Sequence, residues 1–384
     1  MRCHNFFHRK FDFVQNNISL SMFFRLLFVI LLILQSKKCQ DNYISMLENK
    51  KIVFIVNPIS GVGKKDKLPE IVDKYINRET NEIDIIFTEY AGHAFEIAKQ
   101  KAEEGIDIVV AVGGDGTVNE VARGLVESQT ALGIIPCGSG NGLARHLMLP
   151  INMEGAMKII CEGVIHALDY GMINDHPFFC TCGMGFDAFI SKKFADAGKR
   201  GPMTYIENVL VEGLKYKPET YSITLDGNET EPYKAFLVSV ANASQYGNDA
   251  YIAPKASMSD GLLDVVIMEP FDIIDAPQVG IDLMNKTLDK SSKIRSFKAK
   301  DIHITRTNPG VIHFDGDPIM EGTDLHVQLK SKGIRIIVNS HADKSKRRPN
   351  VMQTAFSEFF NEMMTVRDDL THPMSTMKSI LKKV

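Results

Sequence analysis

The first half of the chain alternates short apolar runs with amphipathic stretches. Residues 51–56 (KIVFIV), 83–88 (IDIIFT), 108–112 (IVVAV) and 132–135 (LGII) are apolar enough to be strands buried on both faces. Residues 68–77, 93–104 and 118–126 repeat apolar positions at helical spacing, and Gly105 stops the second of them. Strands that alternate with helices form parallel β-α-β units, so residues 46–165 are expected to be an α/β domain. After residue 165 the pattern shortens. Strands are expected over 178–181, 221–225, 235–241, 263–268, 301–305, 311–314, 324–329 and 334–338. Turn pairs such as Asp226-Gly227, Asp260-Gly261 and Asp315-Gly316 separate many of them, which predicts an antiparallel β-sandwich over 166–340. Helices are expected at 201–215 and 277–288.

Three loops carry the chemistry. In "VVAVGGDGTVNEVARGLV" (109–126) a buried strand ends in Gly113, Gly114, Asp115, Gly116 and Thr117, and a helix follows at once. Successive glycines let backbone N–H groups converge on an anion, and the helix N-terminus adds free donors. Alone, such a loop is as well explained by a tight turn. Asn57-Pro58-Ile59-Ser60-Gly61 and the segment 136–142 (PCGSGNG) also follow strands. All three would lie at the carboxyl ends of parallel strands, where open α/β sheets bind ligands. Neither a G-x-x-x-x-G-K-[ST] nor a G-x-G-x-x-G pattern is present.

"GGDGTVNE", with "VNPISG" before it and "GIIPCGSGNGLAR" after it, resembles the diacylglycerol kinase catalytic domain family, which includes soluble bacterial lipid kinases and sphingosine kinases. "YGNDAYIAPKASMSDGLLDVV" (246–266) and "HFDGDP" (313–318) extend the likeness over roughly residues 50 to 340. The first motif alone would also admit NAD kinases. The resemblance implies transfer of phosphate from ATP to a lipid hydroxyl, in a cleft between an α/β domain and a β-sandwich domain. Nucleotide contacts then fall on Asn57 to Gly61, Thr88, Gly113, Gly114, Asp115, Gly116, Thr117, Val118, Asn119 and Ser139. The family's proton acceptor follows an Asp-Gly pair, which places it at Asp317, with Asp315 close by. The family's D-G-E is D-G-D here, one methylene shorter. Asp115 is expected at the phosphate end, through Mg²⁺. "SMSDGLLD" resembles a second, structural Mg²⁺ site formed by Asp260 with carbonyls near Ser257 and Leu262; Ser259 stands where a second Asp is common. Asp187, in "GMGFDA", is a weaker candidate at the lipid headgroup or a helix cap. Arg145-His146 could meet phosphate or lie as a surface pair. A NAD kinase-like enzyme and a non-catalytic nucleotide- or lipid-binding regulator are the alternatives.

Composition narrows the picture little. A net charge of −3 over 384 residues gives no support to nucleic-acid binding. Cys3, Cys39, Cys137, Cys161, Cys180 and Cys182 form no C-x-x-C pair, and no histidine cluster has zinc-finger spacing; the cysteines are expected reduced, and Cys180 and Cys182 on one strand face. Residues 22–34 (MFFRLLFVILLIL) read as an export signal, a membrane-surface anchor or sequence outside the native protein; the last is favoured, because an ATP-using enzyme belongs in the cytosol. The uninterrupted part, 26–34, is too short to span a bilayer. The protein is therefore expected in the cytoplasm, peripheral at the inner membrane face. Beyond residue 340, "KSKRRP" leads into an amphipathic stretch, 351–370, that packs on the protein, on a second copy in a homodimer, or on a membrane surface.

Overall fold

The computed structural model describes residues 47, 49–60, 65–197, 216–272 and 275–339. The segment 1–45, Gly61, the helix expected at 201–215 and the amphipathic stretch 351–370 lie outside the described residues.

The chain opens with β1 (Lys51–Val56), α1 (Leu68–Tyr75), β2 (Glu82–Phe87), α2 (His93–Glu103), β3 (Ile108–Gly113), α3 (Asp115–Leu125) and β4 (Ala131–Pro136). The four strands pair in parallel in the order β4-β3-β1-β2. Alternate side chains fill two cores. Val53, Ile55, Val109, Ala111 and Ile134 pack with Ala94, Ala98, Val121, Ala122 and Leu125 of α2 and α3 on one face. Ile52, Phe54, Val56, Val110 and Val112 pack on the other with Leu68 and Val72 of α1. This is why the runs are continuous: a strand covered by helices on both sides has no polar face. Each such fully buried aliphatic side chain contributes about 1.5–3 kcal/mol.

Two short helices, α4 (Gly142–His146) and α5 (Met153–Glu162), lead into β5 (Val164–Ile173), β6 (His176–Phe178), β7 (Thr181–Gly185) and α6 (Phe186–Ala197). Then follow β8 (Glu219–Leu225), β9 (Asn228–Glu229), β10 (Tyr233–Ala235), β11 (Leu237–Ala241), β12 (Leu263–Met268), α7 (Ala276–Asn285), β13 (Ile294–Ala299), β14 (Asp301–Arg306), β15 (Gly310–Phe314), β16 (Asp317–Glu321) and β17 (Asp324–Val338). One sandwich sheet has the order β13-β12-β11-β7-β15-β16 and is antiparallel throughout. The other is continuous with the parallel sheet, because the far end of β17 pairs with β4 at Ile336 and Leu132. Ile302, Ile304, Leu325 and Val327 of this sheet meet Met184, Val238, Val240, Val265 and Ile312 of its partner in the sandwich core.

Several local expectations change, and the strand expected over 235–241 divides between the two sheets as β10 and β11. The strands expected at 324–329 and 334–338 are one strand, interrupted only by a shift of register between Lys330 and Ile334. Asp169, buried, accepts there from Lys332 N–H (2.8 Å) and Ser331 Oγ (3.1 Å), so the bulge has its own acceptor. β5 runs antiparallel along β17 and was not visible as a strand. β16 completes a hairpin with β15. Finally, no strand spans 178–181: β6 ends at Phe178 and β7 begins at Thr181, leaving Cys180 before the strand and Cys182 within it. The cause is that Phe179, Cys180 and Thr181 donate their N–H groups to the Asp315 carboxylate.

Candidate active site

All three expected loops meet at the carboxyl ends of the interior strands β1, β3 and β4. Asn57 Nδ2 donates to Thr117 Oγ1 (3.1 Å), tying the first loop to α3. Lys65 closes that loop: its Nζ donates to the carbonyls of Asn57 and Ser60 and to Ser60 Oγ (2.9 Å). Burial lowers the Lys65 pKa. Sequence reasoning missed this lysine; a basic residue shortly after a loop leaves no distinctive trace. Ile59 protrudes at 85 % exposure. Thr88 follows β2 and donates its N–H to the Val56 carbonyl (2.9 Å).

The second and third loops touch backbone to backbone. A Cβ on Gly138 would stand 2.6 Å from Gly114 Cα, so no larger residue fits without parting them. Asp115 does the clamping. Its carboxylate accepts from Asn141 N–H (2.8 Å) and Gly142 N–H (2.6 Å). The Asn141 side chain closes the loop on Gly138 through both its oxygen and its nitrogen. Asp115, expected at the phosphate end, also pins the 138–142 loop through its bonds from Asn141 and Gly142 N–H. Burial pushes its pKa up, against these backbone donors. Ser139 remains exposed at the loop tip, and Gly114 and Gly116 keep their backbone open at the start of α3. The side chains of Thr117, Val118 and Asn119 are buried.

The same loop reaches the second half of the chain. Asn248 N–H donates to the Gly140 carbonyl (3.0 Å). Arg145, rather than lying on the surface, pairs with Asp249 at 2.8 Å with both side chains largely buried, and His146 Nδ1 meets Ser244 Oγ at 3.0 Å.

Asp315 comes to this junction from the β15–β16 hairpin. Asp315 and Gly316 have φ of +49° and +92°, the two left-handed residues of a type I′ turn. The Asp315 carboxylate accepts from Phe179, Cys180 and Thr181 N–H (2.8, 2.7 and 3.0 Å) and from Asn119 Nδ2 (2.8 Å). Asn119, expected at the nucleotide, joins α3 to the hairpin through its amide nitrogen, and its own Oδ1 is buried without a partner among the described residues. Burial raises the Asp315 pKa, opposed by these four donors.

Asp317, two residues on, accepts no hydrogen bond from any described residue and is open to solvent. Crowding by the surrounding protein still pushes its pKa up, with the Asp315 and Glu120 carboxylates adding to it and Arg123 and His313 opposing. Glu120 is itself engaged: its oxygens accept from Gly92 N–H (3.0 Å) and Ala94 N–H (3.1 Å) at the start of α2. Arg123 lies over the rings of Phe95 (5.3 Å) and Phe314 (5.7 Å). It was not visible as a site residue, since one arginine on a helix has no motif.

Behind the hairpin stands a buried polar chain. His313 Nε2 faces Asp187 Oδ2 at 3.1 Å, and Tyr246 Oη donates to the same oxygen (3.0 Å). Gly316 N–H points at His313 Nδ1 (3.4 Å), so the ring proton belongs on Nε2. Asp187 is therefore a fixed member of a network that ends at the Asp315-Gly316 turn.

The expected structural Mg²⁺ loop is distinct from this junction. Leu262 N–H donates to Asp260 Oδ1 (3.2 Å), and Ser257 Oγ meets Ser259 Oγ (3.2 Å). Lys298 Nζ pairs with Asp260 (2.7 Å) and Asp264 (3.2 Å). A carboxylate with neighbouring carbonyls is the donor set a hard cation takes. The residues therefore fit the ion, with Lys298 as a competitor for Asp260.

Two family models match the chain: the diacylglycerol kinase catalytic domain over residues 51–173 and the YegS C-terminal NAD kinase β-sandwich-like domain over 180–338. A diacylglycerol kinase of Mycobacterium tuberculosis is 28% identical over 280 residues, 70% of this chain and 88% of that protein. One of Staphylococcus aureus is 27% identical over 277 residues, 70% of this chain and 86% of that protein. A crystal structure of a diacylglycerol kinase from Bacillus anthracis str. Sterne shares the fold at a TM-score of 0.58, 24% identity, covering 76% of this chain and 97% of that one. Two matched domains in the same order, and a fold that brings the glycine loops to the Asp-Gly hairpin, lead to one conclusion: the chain belongs to the diacylglycerol kinase catalytic domain family.

Proposed function

We propose that the protein transfers the γ-phosphate of ATP to the hydroxyl of a diacylglycerol-like or other long-chain lipid alcohol, with Asp317 as the proton acceptor. One observation carries the reading. Of the four carboxylates at the junction, Asp115, Glu120 and Asp315 have their oxygens held by N–H donors, and Asp317 alone has none among the described residues. It stands on a rigid turn, at the hairpin that the glycine-loop helix holds through Asn119.

In this reading the exposed backbone of Asn57 to Ser60, Gly114, Gly116 and Ser139 cradles the triphosphate. The lipid oxygen attacks the γ-phosphorus while Asp317 takes its proton, and ADP leaves. Mg²⁺ would supply charge neutralisation to the triphosphate; a separate, structural Mg²⁺ would be held at the 257–262 loop by Asp260 with the carbonyls near Ser257 and Leu262, once Lys298 yields. The upward shift of the Asp317 pKa from its ordinary value, caused by crowding and by Asp315 and Glu120, is in the direction that makes the carboxylate a stronger base. No helix among the described residues is long and apolar enough to cross a membrane. We place the enzyme in the cytoplasm, meeting its lipid at the membrane surface.

The test is incubation of the purified protein with labelled ATP, Mg²⁺ and a panel of lipid alcohols beside Asp317→Asn. A labelled lipid from the wild type and a loss of about 10²–10⁴-fold in the variant are expected. Equal activity in the variant would remove Asp317 from the mechanism, and ATP binding without any lipid product would favour a regulator.

A further inference from the structure

The larger sandwich sheet carries a polar cluster on its outer face. Ile302, Ile304, Leu325 and Val327 point into the sandwich core. Side chains alternate along a strand, so Asp301, His303, His326 and Gln328 point the other way. Registration on β14 and β17 sets His303 directly opposite His326 and Asp301 opposite Gln328. The two imidazoles stack with centroids 4.0 Å apart and planes 13° from parallel. Both send Nε2 to one carboxylate: His303 to Asp301 Oδ1 at 3.2 Å and His326 to Asp301 Oδ2 at 3.0 Å. Gln328 Nε2 donates to the same Asp301 Oδ2 (3.3 Å).

We propose that Asp301, His303 and His326 form a binding site for a divalent transition-metal ion of the zinc type. One ligand atom from each residue lies within 4.8 Å of the other two. Ligand atoms around a tetrahedral zinc ion stand about 3.3 Å apart, given bonds of about 2.0–2.1 Å. The two carboxylate–imidazole separations are near that spacing but end on different oxygens of Asp301, so small rotations of the carboxylate and imidazoles, or a bidentate carboxylate, complete the ligand set. Two neutral imidazoles and a carboxylate are donors that favour zinc, nickel or copper over magnesium. Water takes the remaining position, because all three side chains are partly exposed: His303 50 %, Asp301 45 % and His326 35 %. Gln328 orients the carboxylate from outside, as supporting groups at metal sites do.

The two strands are held apart in sequence by the β15–β16 hairpin, so no short motif could announce the cluster. The site is also separate from the candidate active site. The Asp315–Asp317 hairpin belongs to the other sheet, across the sandwich core. A bound ion would cross-link β14 to β17, the strand that joins the sandwich to the parallel sheet. Its expected effect is therefore on stability rather than on phosphoryl transfer.

The experiment uses the full chain without a histidine tag. The protein is dialysed against Zn²⁺ in excess Mg²⁺, which masks oxygen-only sites, and bound zinc is measured by elemental analysis. One equivalent is expected in the wild type, with a higher melting midpoint. His303→Ala and His326→Ala should each weaken binding about tenfold or more and abolish the zinc-dependent rise. His303→Gln, which keeps a polar side chain on the exposed face, guards against a folding defect. Co²⁺ substitution adds a spectroscopic check, because thiolate ligation gives a charge-transfer band that a histidine–carboxylate site lacks. Absence of zinc from the wild type, or its retention in the variants with thiolate bands, would overturn the proposal. In either case the cluster is a hydrogen-bonded surface feature only.

Discussion

Asp226-Gly227 and Asp315-Gly316 are the same turn built twice, once in each sheet of the sandwich. Their φ values are +48° and +79° in the first and +49° and +92° in the second. Each closes a two-residue hairpin, Leu225 against Asn228 and Phe314 against Asp317. Each aspartate turns its carboxylate onto the backbone of another segment. Asp226 Oδ1 accepts from Lys300 and Asp301 N–H, both at 2.9 Å. Asp315 accepts three backbone N–H groups and the Asn119 amide. Local sequence thus gives identical turns and similar anchoring. The difference is what the anchor holds: the edge of β14 in one case, and the junction of the sandwich with the glycine-loop helix in the other. The residue after the turn is Asn228 in the first and Asp317 in the second.

The comparison is broken most severely at that last position. Asp317→Asn should cost about 10²–10⁴-fold in turnover with an unchanged melting curve, since Asp317 has no partner among the described residues to lose. The pair of anchors comes next. Asp315→Ala leaves buried N–H groups without an acceptor and should cost roughly 2–4 kcal/mol, whereas Asp226→Ala, on an exposed turn, should cost about 1 kcal/mol. Urea unfolding of the two variants side by side checks this. Similar losses would mean that the junction anchor is no more than a turn.

How much of this was legible beforehand follows from the physics of each part. The continuous runs 52–56 and 108–112 were readable because burial on both faces forces apolar residues at every position. Both Asp-Gly turns were readable because left-handed φ restricts the residues allowed. Which turn borders the site was not local information; it came from the resemblance of "HFDGDP". The loop-pinning role of Asp115 was hidden for a related reason. A carboxylate in a glycine loop looks the same whether it faces a ligand or the N–H groups of Asn141 and Gly142, 26 and 27 residues away. Long-range partners also hid His313, Arg123 and the cross-strand pair of His303 and His326.

The two glycine loops offer the third test. Gly138→Ala would place a Cβ 2.6 Å from Gly114 Cα, and backbone cannot rotate aside as a side-chain tip can. Parting the loops misplaces the phosphate cradle and leaves the hairpin alone. A loss of roughly 10–100-fold in kcat/KM for ATP, with little change in apparent affinity for the lipid, is expected. Equal losses for both substrates would mean that the loop and the hairpin act as one unit rather than as separate nucleotide and acceptor sites.

The smallest effect concerns charge at Asp317 itself. A base works deprotonated, so its activity rises with pH through its pKa. Crowding by the surrounding protein, Asp315 and Glu120 disfavour the charged form of Asp317, and Arg123 favours it. The acid limb of kcat/KM should therefore lie above the ordinary aspartate value of about 3.9. Arg123→Leu removes the positive charge, so the protonated form persists to higher pH and the limb moves up. Leucine keeps an apolar body against Phe95 and Phe314, the two rings that Arg123 covers. Because the guanidinium acts only through Asp317, the loss should shrink as the pH rises and the variant approaches wild-type turnover at alkaline pH. A loss that is constant across the pH profile would instead place Arg123 on the transferred phosphate, and the hairpin carboxylate would then share its site with a cation from the glycine-loop helix.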